Sequence, residues 1–164
     1  LLIDEIDKAD EEFESLLLEI LADFAVSLPE IGTLRAKQKP LVLLTSNNTR
    51  NLSDALRRRC LHLHIPFPEA ALESRIVHSR VPDLPEQLRG QLVAFVHSLR
   101  ELDLKKPPAI SETIDWARSL LLLHAASLSR ELVDDSLTVL LKHEEDLAMA
   151  RSTMHELLRD AQRR

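Results

Sequence analysis

Tyrosine is absent from this chain, tryptophan occurs once at Trp116, and aromatic residues make up only 3% of the 164 residues. With 45% of the residues apolar, a core must therefore be built from Leu, Ile, Val and Ala. Two glycines, Gly32 and Gly90, leave little material for tight turns and point to long helices. They also exclude a glycine-rich phosphate cradle within these residues. A single cysteine, Cys60, excludes an internal disulfide framework and fits a reducing, cytoplasmic setting. Positive charge is in deficit: 21 Lys and Arg against 27 Asp and Glu give −6. That balance argues against bulk nucleic-acid binding by the field of this segment. Neither a signal peptide nor a membrane-length apolar run is read from the sequence. An initiating Met is missing too, and the first residues already carry a strand pattern, so a fragment of a longer protein is expected.

What is present begins at once. Leu1-Leu2-Ile3-Asp4-Glu5 is an apolar run closed by two carboxylates, the pattern of a buried parallel strand delivering acids to the ligand-bearing edge of an α/β sheet. There one acid can hold the magnesium of a nucleoside triphosphate and the other can orient the attacking water. Asp10 is a good helix N-cap, with Glu11 and Glu12 favoured in the first turn by the helix dipole. Phe13, Leu16, Leu17, Ile20, Leu21 and Phe24 follow at helical spacing and predict one buried face. Residues 25–28 and 31–35 flank Pro29-Glu30 and read as a small hairpin. Leu41 to Thr45 reads as a second buried strand ending in Ser46-Asn47-Asn48. A short helix over about 52–58 leads to a third strand, Leu61 to Ile65, closed by Pro66 and Pro68.

From residue 69 the strand signals stop. Leu88, Leu92, Phe95, Val96 and Leu99 form one helical stripe. Ile110, Ile114, Ala117, Leu121 and Ala125 form another, started by Ser111 after Pro107-Pro108. Leu137, Leu140 and Leu141, then Leu147, Met154, Leu157 and Leu158, predict two more helices. The expected organisation is part of an α/β sheet over 1–68 and a small helical bundle over 69–164.

Three strand ends thus carry polar groups in order: Asp4-Glu5, Asn47, and the Arg57-Arg58-Arg59 cluster beside the third strand. Phosphoryl transfer needs such parts: a metal-binding acid, a water-orienting acid, a polar sensor near the γ-phosphate and a cation for transition-state charge. The same residues have plainer uses. Cations at a helix C-terminus gain about 0.3–1 kcal/mol each from the dipole, and an Asn after a strand can simply start a turn. His62 and His64 alternate on one strand face without a third ligand at suitable spacing. Cys60 reads as a small buried apolar residue, and Glu144-Glu145-Asp146 as a solvated helix start.

In this order and spacing the segments resemble the AAA+ ATPases, and within them the MoxR family. Leu2-Ile3-Asp4-Glu5-Ile6-Asp7-Lys8-Ala9 is similar to the family's Walker B segment, and Val26 to Thr33 to the hairpin preceding sensor 1. Leu44-Thr45-Ser46-Asn47 resembles the sensor-1 strand end, and Ala55-Leu56-Arg57-Arg58-Arg59-Cys60 the arginine-finger segment. Lys106 to Ala117 resembles the lid of the branch linked to maturation of carbon monoxide dehydrogenase-like molybdenum enzymes. The resemblance implies a P-loop AAA+ core with a parallel sheet and β-hairpin insertion, followed by an all-α lid. It implies ATP and Mg2+ as cofactors, Asp4 as the magnesium ligand, Glu5 as the water activator and Asn47 as sensor 1. Arg59, with Arg58 second, would be the arginine finger serving a neighbouring subunit. A homo-oligomeric ring, a hexamer, follows from that. A partner with a von Willebrand factor A domain and a metalloenzyme client are further implications. Two features depart from the pattern. The Walker A loop, G-x-x-x-x-G-K-[ST], does not occur here and is expected upstream, so the segment alone is expected to be inactive. The lid's sensor-2 arginine is also missing: Ala109 and Ile110 occupy its place, with Lys105, Lys106 and Arg118 the nearby cations. A nucleic-acid motor and a non-enzymatic, lid-bearing adaptor are the rival readings.

Overall fold

The computed structural model describes residues 1–47 and 50–163, Arg163 in its backbone only; Asn48, at the expected tip of the second strand, lies outside them. The fold is mixed α/β, with two separate two-stranded sheets and eight α-helices among the described residues. It divides into two compact units, Leu1–Ile65 and Pro66–Arg164.

In the first unit β1 (Leu2–Ile3) pairs in parallel with β4 (Leu43–Leu44), Leu2 opposite Leu43 and Ile3 opposite Leu44. Backbone bonds from Leu43 N to Leu1 O, Thr45 N to Ile3 O and Ile6 N to Thr45 O extend the ladder at both ends. The sequence predicts longer, buried strands here, and that is corrected. Leu1, Leu2, Leu41 and Leu43 are exposed, while Ile3 and Leu44 pack on a small core of Ile6, Leu17 and Leu56. Strand side chains alternate between faces, and only one face of this pair is covered within the unit. A 3-10 turn, Ile6–Lys8, leads to α1 (Glu11–Asp23). Asp10 caps α1 as expected, its carboxylate accepting the Phe13 N–H at 2.8 Å. The expected buried face is narrower than its apolar pattern: Phe13 is exposed, and Phe24 sits past the helix end in the left-handed region at φ 49°. The hairpin forms as β2 (Ala25–Leu28) and β3 (Gly32–Arg35), and α1 packs against β2. Gly32, at φ +88°, supplies the turn conformation that other residues rarely adopt.

The short helix is α2 (Asp54–Arg57), capped by Ser53 Oγ accepting from Leu56 N. The expected third strand does not form. Residues 61–65 have no regular structure and pair with no described strand, and Leu61, Leu63 and Ile65 are 103%, 85% and 81% exposed. An alternating apolar run becomes a strand only when a neighbour pairs with it, and no described strand does so.

The second unit is helical: α3 (Ala70–Arg80), α4 (Glu86–Arg100), α5 (Ile110–Leu122), α6 (Arg130–Leu140), α7 (Glu144–Ser152) and α8 (Met154–Arg163). Central α4 packs against α3, α5 and α8. The stripe from Leu88 to Leu99 is buried as its spacing predicts, and Phe95 meets Trp116 with ring centroids 5.3 Å apart. Trp116 Nε1–H donates to Ser136 Oγ at 2.8 Å, the polar partner a buried indole requires. Two expectations are corrected. Helix α5 starts at Ile110 with Ala109 at the cap, which has no polar side chain to offer, and Ser111 lies inside the first turn, its Oγ donating to Glu112. Asp146 is no solvated helix start: it is buried and accepts the backbone N–H groups of Lys105 and Lys106 at 2.9 and 3.2 Å.

Candidate functional site

The C-terminal ends of β1 and β4 lie side by side because the strands are parallel, so the residues leaving them emerge at one sheet edge. That edge is where open α/β sheets receive ligands. Asp4 and Glu5 leave β1, and Asn47 follows β4. Asn47 Nδ2 donates to Glu5 Oε1 at 3.0 Å, and Asn47 N to Asp7 Oδ1 at 3.2 Å. Thr45 is the pin between the strands: its hydroxyl donates to Asp4 Oδ1, and its Oγ1 accepts the Glu5 N–H at 3.0 Å. Glu5 adopts the left-handed conformation, φ 53° and ψ 46°, uncommon for a residue with a side chain. Such backbone costs of order 1–3 kcal/mol and collects at functional sites. Here it turns the carboxylate away from the strand and towards Asn47.

Lys8 Nζ lies 2.5 Å from Glu5 Oε2. Hydrogen bonding to Glu5 and its charge hold the Lys8 ammonium above its ordinary pKa, with Asp7 and Asp4 adding to this. Glu5 thus accepts at both oxygens, one facing an amide and the other a cation. Among the described residues no cluster of three or more His, Cys, Asp and Glu could hold a metal by itself. The expected magnesium is bound differently in nucleotide sites, by one or two carboxylates with phosphate and water completing the shell. The donor set fits that mode: Asp4 is exposed, and the Thr45 bond occupies its Oδ1.

Arg58 and Arg59 stand at the end of α2, both exposed. Arg59 Nη1 donates to Ala55 O at 2.9 Å, and neither guanidinium bonds to Asp4, Glu5 or Asn47. They are not brought into the carboxylate–amide cluster. His62 bonds to Arg57 O rather than pairing with His64. Cys60 is half-buried, and burial pushes its thiol pKa up, away from nucleophile behaviour.

A second polar group went unread in the sequence. Arg50 stands between β4 and α2: Nε donates to Asp7 O at 2.9 Å, Nη2 to Ala9 O at 2.7 Å, and both terminal nitrogens reach Glu14 Oε2 at 3.1 Å. Glu14 Oε1 accepts the Ser53 N–H at 2.7 Å. The bonding to Ser53, opposed by burial and aided by Arg50, holds the Glu14 carboxyl below its ordinary pKa. Through Asp7 and Arg50 this cluster fixes the loops on either side of the Glu5–Asn47 contact. A signal existed in the sequence: position 14 shares the helical stripe of Leu17 and Leu21 at i+3 and i+7, so a charge there must find a buried partner.

No protein-family model and no curated protein matches this chain.

Proposed function

We propose that this chain is the Walker B-to-lid portion of a MoxR-type AAA+ ATPase, a P-loop core segment followed by a helical lid. In this reading the full protein hydrolyses ATP to drive chaperone-like remodelling or maturation of a metalloenzyme client. The observation that carries the reading is the 3.0 Å contact between Asn47 Nδ2 and Glu5 Oε1 at the shared end of two parallel strands. It joins the carboxylate and the polar sensor of the sequence pattern in one place, where a γ-phosphate and its attacking water would meet.

Each residue then has a defined task. Glu5, flanked by Asn47 and Lys8, accepts a hydrogen bond from water and orients it for in-line attack. Asn47 shares its amide between that carboxylate and a phosphate oxygen, so loss of the phosphate is felt at the tip of β4. Asp4, steadied by Thr45, would hold Mg2+, which when bound neutralises charge on the phosphates. Arg59, or Arg58, reaches outward from α2 to the nucleotide of a neighbouring subunit in a homo-oligomeric ring, a hexamer. A von Willebrand factor A-domain protein would serve as adaptor to the client.

The test is Glu5→Gln in the full-length protein. ATP binding should persist while turnover falls by about 10²-fold or more, the scale of losing a positioned acid–base group. Arg59→Ala subunits mixed with Glu5→Gln subunits should regain part of the activity if the finger acts across an interface. Normal hydrolysis by Glu5→Gln would refute the reading. The adaptor alternative draws on the absence of G-x-x-x-x-G-K-[ST] from these 164 residues. Failure of the full-length protein to bind magnesium nucleotide would favour it.

A further inference from the structure

The hairpin presents a surface for which the site chemistry has no use. Strand β3 is exposed along its whole length, and the β2–β3 sheet has no third strand among the described residues. Ala36 N donates to Phe24 O, and in this register the inward-facing backbone groups continue at Leu34 and Gly32. The N–H and C=O groups of Thr33 and Arg35 therefore point away from β2, along an open edge. Ser27, opposite Thr33, donates to Glu19 of α1 at 2.6 Å, so α1 lies on that face of the hairpin. The other face carries a half-buried Val26 with Leu28 and Leu34, and towards the turn it is open: Leu34 is 54% and Ile31 70% exposed.

Three cations follow this edge within five residues, Arg35, Lys37 and Lys39, and between positions 31 and 45 there is no acid. Arg35 and Lys37 form no hydrogen bond or ion pair with a described residue, and Lys39 only lies over the Phe24 ring at 5.5 Å. In a chain of net charge −6 this run and Arg57-Arg58-Arg59 are two stretches of clustered positive charge, and this one lies along an open sheet edge. An unpaired edge offers main-chain bonds, an open apolar face offers room for alternate side chains, and a cation row selects for acids. Together these are the parts of strand-addition recognition.

We infer that the β3 edge of the hairpin docks an extended acidic segment of a partner protein, with apolar residues at alternate positions, as an added strand. The apolar face favours a peptide over a nucleic acid, whose sugar–phosphate backbone has nothing to place against Leu28, Ile31 and Leu34. The inference is independent of nucleotide chemistry, because none of these residues touches Asp4, Glu5 or Asn47.

The experiment uses the full-length protein and a fluorescein-labelled eight-residue peptide alternating Glu with Val, read by anisotropy. The comparison probes are the same peptide N-methylated at alternate amides and a single-stranded oligo(dT). The Glu–Val peptide should bind, and its affinity should drop about tenfold with Lys37→Glu/Lys39→Glu, two exposed positions outside the strands that leave the hairpin ladder intact. The N-methylated peptide should bind at least tenfold more weakly, and Glu5→Gln should leave peptide affinity unchanged. Absence of peptide binding would overturn the inference and reduce the cations to guards against edge-to-edge aggregation. Equal binding of the N-methylated peptide, insensitivity to the double charge reversal, or tighter binding of oligo(dT) would each overturn it as well.

Discussion

The two units of this chain are held together by different forces. Residues 66–164 enclose a continuous apolar core running from Val77 to Ala161, with Trp116 and Phe95 at its centre. Residues 1–65 have three fully buried apolar side chains, Ile6, Leu17 and Leu56, and rely on polar staples to fix their loops. Hydrophobic burial is non-directional and scales with area, so it stabilises the helical unit without specifying the position of any one polar atom. Hydrogen bonds contribute little net energy but fix geometry, and a candidate site that depends on a 3.0 Å contact sits in the unit built from them. Stability and positional precision are thus divided between the two units.

The largest effect should come from opening the helical core. Trp116→Ala removes a fully buried indole, its contact with Phe95 and the partner of Ser136. It should cost about 4 kcal/mol, as large-to-small changes of buried aromatics do. Urea denaturation followed by far-UV circular dichroism measures this; a loss below about 1 kcal/mol would mean that the core repacks around the gap.

Next in size is a carboxylate sealed inside that apolar unit. Glu73 is fully buried and gathers Arg100 at 2.6 and 2.9 Å, His97 at 2.9 Å and Thr113 at 2.9 Å, while Phe67 stacks on the Arg100 guanidinium at 4.4 Å. Burial pushes the Glu73 pKa up, but Arg100's hydrogen bonds and charge, then Thr113 and His97, outweigh it and hold the carboxyl below its ordinary value. A depressed folded-state pKa means that the stabilisation is complete above the unfolded-state value. It is lost as the pH falls through the lower, folded one. Glu73→Gln leaves Arg100 buried without its counter-charge and should cost about 3 kcal/mol at neutral pH. On acidification the difference between wild type and variant should shrink, which denaturation midpoints along an acid titration would show. A gap that widens towards acid would contradict the sign of the shift.

In the first unit the corresponding cut is Arg50→Ala. It strips Glu14 of its cation and frees the carbonyls of Asp7 and Ala9, at a cost of about 2 kcal/mol for the polar groups left unsatisfied. Its main consequence should be positional. Amide hydrogen exchange across residues 5–10, 45–47 and 50–53 should accelerate more than exchange in α4, and turnover of the full-length protein should fall more than stability does. Equal protection in both regions would show that the polar staples do not hold the candidate site.

The same division decides what was legible in the sequence. Helix α4 and its stripe were readable because an apolar period of 3.6 is a direct image of one buried face. The Asp10 cap and the hairpin were readable from local chemistry, whereas the order of strand ends singled out Asp4-Glu5 and Asn47 without the bond between Asn47 and Glu5. Glu14 and Glu73 were missed because a charge on an apolar stripe names no partner, and Arg50 and Arg100 arrive from 36 and 27 residues away. The start of α5 was misread because Pro107-Pro108 marks a boundary without saying which residue caps it. Strand lengths were overestimated because a period of two reports side-chain alternation, whereas a strand exists only when a neighbour pairs with it.

That last point gives the smallest predicted effect and the sharpest check on where burial ends. Leu61-His62-Leu63-His64-Ile65 has the composition of a core strand, and were Leu63 buried as that composition predicts, Leu63→Ser would cost several kcal/mol. With Leu63 at 85% exposure there is almost no apolar area to return to water, so the substitution should change stability by less than about 0.5 kcal/mol. The measurement is the urea midpoint of the 164-residue chain carrying Leu63→Ser. A large loss there would mean that the run is covered in solution and that the first unit owns more core than Ile6, Leu17 and Leu56. A null effect in this chain, set beside a large one in the full-length protein, would place the covering surface in polypeptide outside these residues.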